Sequence, residues 1–195
     1  METYKTIILA FAAYFIGSIS FSYIFTKKIT DKDIRTIDIK NAGAFNVFLN
    51  VGKRIGTVVG VLDGLKTLLI VLIGKLIGLG MVNTIIAASF GIIGHCFPIY
   101  HNFYGGRGAA SVIGIFIYFI PLELLISIIP AALIAFIIHR MGTAPVFFIG
   151  FSPIVAHISN KPPSLVLAIV YVTLLTGIMN LIIIVAKREQ KVIVK

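Results

Sequence analysis

The sequence predicts an all-α integral membrane protein, and three observations predict it. Of its 195 residues 58% are hydrophobic and only 12% are charged, where a soluble domain is about half apolar and about a quarter charged. The mean hydropathy is +1.06, so the chain lacks the polar surface needed to cover itself in water. The apolar residues form long runs, and with roughly 20 residues per crossing the length holds about seven transmembrane helices with short connections. These make one polytopic membrane domain over residues 1–195, with little left for a soluble domain. A single cysteine, Cys96, excludes an internal disulfide.

Taken in order, the first span covers about 4–25 and is too long for a signal-peptide core. Its stretch Gly17-Ser18-Ile19-Ser20-Phe21-Ser22-Tyr23 offers small residues for close helix packing. The only long polar connection, 26–54, follows, with Asn41 and Asn46 flanking the small residues Ala42, Gly43 and Ala44. The second span, about 56–79, carries Asp63 and Lys66 three residues apart, on one helical face. Ionisable residues inside a membrane segment are costly and mark function; the alternative is a self-neutralised pair near the headgroups, with Lys66 snorkelling. Further spans are predicted at about 81–99, 109–121, 122–138, 144–158 and 164–186. Pro121, His139 to Thr143, and Lys161 to Pro163 punctuate the turns between them.

The cations set the orientation. Thirteen gather on one side: Lys27, Lys28, Lys32, Arg35, Lys40, Lys53, Arg54, Arg107, Arg140, Lys187, Arg188, Lys191 and Lys195. The other side has Lys5, Lys75 and Lys161. The positive-inside rule then makes the crowded side cytoplasmic, with the N-terminus outside and the C-terminus inside. The net charge of +10 is read as orientation and contact with anionic membrane lipids, not as nucleic-acid binding.

The chemistry concentrates between Gly94 and Ser111. That stretch holds His95, His101, Arg107 and the glycines Gly105, Gly106 and Gly108, and it runs directly into a helix. A glycine-rich turn leaves backbone N–H groups free to approach an anion, Arg107 adds a fixed cation, and the helix N-terminus adds partial positive charge. The reading is a phosphate site at a membrane surface; a tight turn whose glycines only permit packing is the alternative. His95 and His101 are each a candidate general base or a structural histidine. Ser111 and Thr143 are candidate substrate hydroxyls. No nucleotide-binding glycine motif is present, and the four histidines show no metal-ligand spacing.

The quoted motifs carry a resemblance. Gly17 to Tyr23 resembles Gly-Ser-Ile-Pro-Phe-Gly-Tyr of the bacterial membrane acyltransferase family PlsY. Asp33-Ile34-Arg35 with Asn41-Ala42-Gly43-Ala44-Phe45-Asn46-Val47 resembles its Asp-Ile-Arg…Gly-Ser-Gly-Asn-x-Gly-Ala-Thr-Asn-Val loop. Asp63-Gly64-Leu65-Lys66 resembles its Asp-x-x-Lys, and Gly94-His95-Cys96-Phe97-Pro98 with Phe103 to Gly108 resembles its Gly-His-x-Phe-Pro…Phe-Lys-Gly-Gly-Lys-Gly. The resemblance implies a seven-span protein with its active site on the cytoplasmic face of the bacterial inner membrane. It further implies acyl transfer from acyl phosphate to glycerol 3-phosphate, giving lysophosphatidate for phospholipid synthesis without metal or other cofactor. Carried onto this chain, it implies catalytic roles for His95, Arg107, Asn46 and Thr143. Substrate contacts fall to Asn41, Gly43, Gly105, Gly106, Gly108, Ser111, Asp63, Lys66 and Lys187.

The chain also departs from that pattern. Ile39 stands where the family has serine, Lys40 where it has glycine, Phe45 where it has threonine and Leu49 where it has arginine. Arg107 replaces the lysine of the glycine turn, and Lys187 replaces a C-terminal histidine. These differences leave a second reading, a relative without activity that binds lipid or modulates a partner. A transporter has less support, because no inverted repeat or pair of broken helices is visible. The oligomeric state is not legible in the sequence.

Overall fold

The computed structural model describes the backbone of residues 1–139 and 141–193, and side chains through Ala186 apart from residue 141. All regular structure among the described residues is helical. Helix α1 (Glu2–Ser18) begins with an acid in its first turn, where a negative charge suits the helix dipole. It stops at Ile19, whose extended backbone breaks the predicted first span in two. Ser20 then caps α2 (Phe21–Thr30), its hydroxyl accepting the Tyr23 N–H at 3.3 Å. The sequence predicts one continuous span here, because the apolar run is unbroken across a cap that only Ser20 signals.

The polar connection is more structured than its composition suggests. A 3₁₀ turn (Ile34–Thr36) and a short helix α3 (Ala44–Asn50) fold it against the start of α4 (Lys53–Leu76). Ile34, Ala42, Val47 and Val59 form a small core of their own there, with Phe21, Phe25 and Ile55 packed around them. The helices α5 (Met81–Cys96), α6 (Ala109–Phe119), α7 (Pro121–Ile137), α8 (Ala144–Ile158) and α9 (Pro163–Ile193) follow.

Four segments, 2–30, 53–76, 81–101 and 163–186, are long and apolar enough to cross a membrane; α6, α7 and α8 are shorter apolar helices. The sidedness of α4 shows which solvent it meets. Val58, Val61, Leu65, Leu69, Leu72 and Leu76 are exposed along one stripe, while Asp63, Lys66, Thr67 and Ile70 are buried on the other. Apolar outside and polar inside is the arrangement a lipid solvent selects.

Small residues hold the interior together. A Cβ on Gly17 would strike the Gly91 carbonyl, and one on Gly94 the Tyr14 carbonyl, so α1 and α5 touch backbone to backbone. This contact holds the break after Ser18 beside the end of α5, where the glycine-rich stretch begins.

Candidate active site

The site is assembled at the end of the bundle that carries the basic connection. Lys66 projects from α4 toward the gap between α1 and α2. Its Nζ donates to the carbonyls of Gly17 and Ile19, both at 2.9 Å, and lies 2.9 Å from Asp63 Oδ1. The broken helix frees those two carbonyls, and a buried ammonium satisfies them. The same Nζ is 3.2 Å from His95 Nδ1, and His95 Nδ1 is 3.5 Å from Asp63 Oδ1. Side chains of all three residues are almost fully buried. The alternative of a pair snorkelling to the headgroups is therefore set aside: Lys66 turns inward.

His95 in turn meets the glycine turn. The Gly106 N–H donates to the His95 carbonyl at 3.0 Å. A Cβ on Gly106 would land on His95 Nε2, so only glycine lets the ring lie there. The Ala42 N–H donates to the Gly105 carbonyl at 3.2 Å, which joins the polar connection to the same turn. Ser111, in the first turn of α6, is buried and its hydroxyl reaches the Asp63 carbonyl at 3.4 Å.

A second tie lies toward the surface. Arg35 is clamped by Asp33 (Nη2 to Oδ2 at 2.6 Å) and donates to the His101 carbonyl at 2.8 Å. Its guanidinium lies 5.2 Å from the Tyr23 ring centre, and that ring sits 4.4 Å from His101. The Arg35 hydrogen bonds hold the Asp33 carboxyl below its ordinary range.

Asp63, Lys66, His95, Gly105, Gly106 and Ser111 are thus brought into one connected cluster. Asn41 and Gly43 adjoin it through Ala42, and the Asn41 carbonyl oxygen of the side chain is buried without a donor. Asn46 is buried too, but its amide is spent on the loop: it donates to the carbonyls of Ile34, Ile37 and Asn41 at 2.9–3.1 Å. Arg107 is exposed, with its carbonyl held by Asn180 of α9 at 2.9 Å. Gly108 is buried at a φ of +82°, starting α6. Thr143 ends a 3₁₀ turn (Met141–Thr143) in which Gly142 packs on the Phe45 ring. The Lys187 side chain lies outside the described residues, as does Arg140.

Sequence reasoning misses the part played by four residues. Asn180 was passed over, although an asparagine inside a long apolar helix is a signal in itself. Arg35 enters the sequence reading as a motif residue and as one of the orienting cations, and its bond to the 94–111 stretch has no local signal. The Gly17 and Ile19 carbonyls are backbone atoms, invisible without the helix break.

Comparison with known proteins supplies the context. Residues 7–193 match the family described as glycerol-3-phosphate acyltransferase. The chain belongs to that family. A glycerol-3-phosphate acyltransferase of Syntrophotalea carbinolica is 34% identical over 171 residues, 86% of either chain. One of Clostridioides difficile is 34% identical over 177 residues, 87% of this chain and 85% of that one. One of Mycoplasma capricolum is 38% identical over 151 residues, 74% of this chain and 58% of the other. In fold, the chain is similar to a crystal structure of PlsY, an integral membrane glycerol 3-phosphate acyltransferase, in its glycerol 3-phosphate form. That comparison gives a TM-score of 0.80 at 24% identity over 94% of both chains. The chain is accordingly a multi-pass membrane acyltransferase of the glycerol-3-phosphate acyltransferase family.

Proposed function

We propose that this acyltransferase takes its acyl group from an acyl phosphate and passes it to glycerol 3-phosphate at a site on the cytoplasmic face of the bacterial inner membrane. One observation carries the reading. The glycine turn is bonded to the basic connection through Ala42 and Gly105, and it rests on the buried Asp63–Lys66–His95 group. Both substrates carry phosphate, and backbone N–H groups with a nearby guanidinium suit phosphate oxygens. Arg107 and the backbone of Gly105 and Gly108 are assigned to one phosphate, Gly106 supporting the turn because its N–H is held by the His95 carbonyl, with Asn41, Gly43 and Thr143 facing substrate and Asn46 ordering the loop. A seven-span, N-outside arrangement of the single domain is supported by the sequence count of thirteen cations in the connections assigned to the cytoplasmic side against three on the other.

In the reaction, a glycerol hydroxyl oxygen attacks the acyl carbon. The new ester bond forms as the bond from that carbon to the phosphate oxygen breaks, and the hydroxyl proton passes to water or to the released phosphate. An acyl phosphate is already activated, so no covalent enzyme intermediate is needed. The site must hold the hydroxyl near the acyl carbon and stabilise charge on the carbonyl and departing phosphate.

The test is purified protein in a lipidic phase, given acyl phosphate and glycerol 3-phosphate, with phosphate release followed. Release that needs both substrates is the expected result. Release with a different acceptor would move the specificity to the Ile39–Leu49 loop. None from folded protein would favour the inert relative that Ile39, Phe45 and Leu49 suggest. Within this reading, Arg107→Ala abolishes turnover while leaving the thermal unfolding temperature unchanged, because the side chain is exposed. Full activity in that variant would remove Arg107 from the site.

A further inference from the structure

An ammonium group has three N–H donors and no acceptor, so anything Lys66 hydrogen-bonds must be accepting. Two of its hydrogens go to the Gly17 and Ile19 carbonyls at 2.9 Å. The next polar atom in hydrogen-bonding geometry is His95 Nδ1, at 3.2 Å, and toward an ammonium it can only accept. Asp63 Oδ1 is as near as the carbonyls, at 2.9 Å, and serves as the counter-charge. The competing arrangement, with Nδ1–H donating to Asp63 Oδ1, would have to span 3.5 Å. An Nδ1–H turned toward the ammonium would set two donors against each other, so the Lys66 contact decides between them. Nδ1 then presents a lone pair, and a neutral imidazole in that state carries its hydrogen on Nε2.

Nε2 is the end of the ring that meets the glycine turn, in the place where a Gly106 side chain would be. Burial of the ring holds it there. We propose that Lys66 fixes His95 as the Nε2–H tautomer, making His95 a hydrogen-bond donor to a phosphate oxygen at the glycine turn and not a general base. Lys66 is the positioning residue and His95 the group that touches substrate. The inference rests on the reading of the turn as a phosphate site, and it closes the choice of roles that the sequence left open for His95.

Two measurements test it. In protein carrying ¹⁵N-labelled histidine in lipid, the signal lost in His95→Gln identifies this ring. An unprotonated Nδ1 with a protonated Nε2 is expected, and the reverse pattern overturns the proposal, whether or not the variants are active. Second, glutamine places an amide N–H near the Nε2 position and asparagine places one near Nδ1. Binding of inorganic phosphate and the KM for glycerol 3-phosphate are expected to stay within about tenfold in His95→Gln and to weaken roughly ten- to a hundredfold in His95→Asn. Glutamine no better than asparagine, with a pH-dependent limb of kcat/KM lost in both, would make His95 a base and overturn the donor role. Phosphate binding unchanged in both would mean the N–H is spent on the Ala42 carbonyl that shares this corner, and would overturn it equally. A wild-type protein that binds phosphate but releases none from acyl phosphate would instead count against the donor assigned under the proposed function.

Discussion

Lys66 is buried and holds two carbonyls and a carboxylate at once, so its loss is expected to be costly. Removing one partner of a buried ion pair leaves the other charge stranded, at a cost of about 3–5 kcal/mol, whereas replacing both is far milder. Lys66→Met is therefore expected to lower the unfolding temperature in detergent sharply, and to a much smaller extent when combined with Asp63→Leu. Equal losses in the single and the double variant would show that the carbonyls of Gly17 and Ile19, not Asp63, are what Lys66 serves. The sequence showed that Asp63 and Lys66 share a face, since three-residue spacing fixes that. It could not show which way the face points, because inward and snorkelling lysines have the same spacing. Nor could it place Nδ1 of His95 beside Nζ, a contact across 29 residues that depends on how α4 and α5 pack.

The segment between α2 and α4 reads as a loop by charge and folds as an element by hydrogen bonding. Asn46 alone joins three of its carbonyls, and Asn50 grips Asn46 Oδ1 at 2.9 Å. Asn46→Ala should destabilise this segment by about 2–3 kcal/mol, at about 1 kcal/mol for each bond. The expected readout is faster proteolysis between residues 31 and 52, with the helices beyond unaffected. Asp33 adds a dependence on pH. Its carboxyl titrates below the ordinary 3.8 because Arg35 holds the charged form. The tie is fully present above pH 3.8 and is lost as the pH falls through the lower folded value. Protection of the Ala42 amide, taken against its intrinsic exchange rate, should therefore hold to pH 4 and fall below it; protection lost on acidification between pH 6.5 and 4 would implicate protonation of the His101 imidazole instead. These fastenings join residues 12 and 66 positions apart, which is why motif recognition located them and no local rule explained them.

For the molecule as a whole, composition decided the solvent and the charge distribution gave an orientation to test. Cys96 is buried, so a cysteine introduced elsewhere reports alone. A membrane-impermeant thiol reagent applied to intact cells should label a cysteine at position 161 and spare one at position 28; the opposite result would invert the proposed topology. The helix boundaries were mostly legible from the apolar runs. The break at Ile19 and the order hidden in 31–52 were not, since both depend on partners distant in the chain.

That break has a consequence for synthesis. As α1 and α2 leave the ribosome, the Gly17 and Ile19 carbonyls lack the donor they have in the folded protein, because Lys66 has yet to emerge, and α5, which packs on α1 through Gly91 and Gly94, comes later still. The first helix must wait, either shielded by the insertion machinery or near the lipid surface, until α4 and then α5 arrive to receive it. Nascent chains stalled with residue 52 just emerged should still be extractable by alkali, and chains stalled past residue 96 should not.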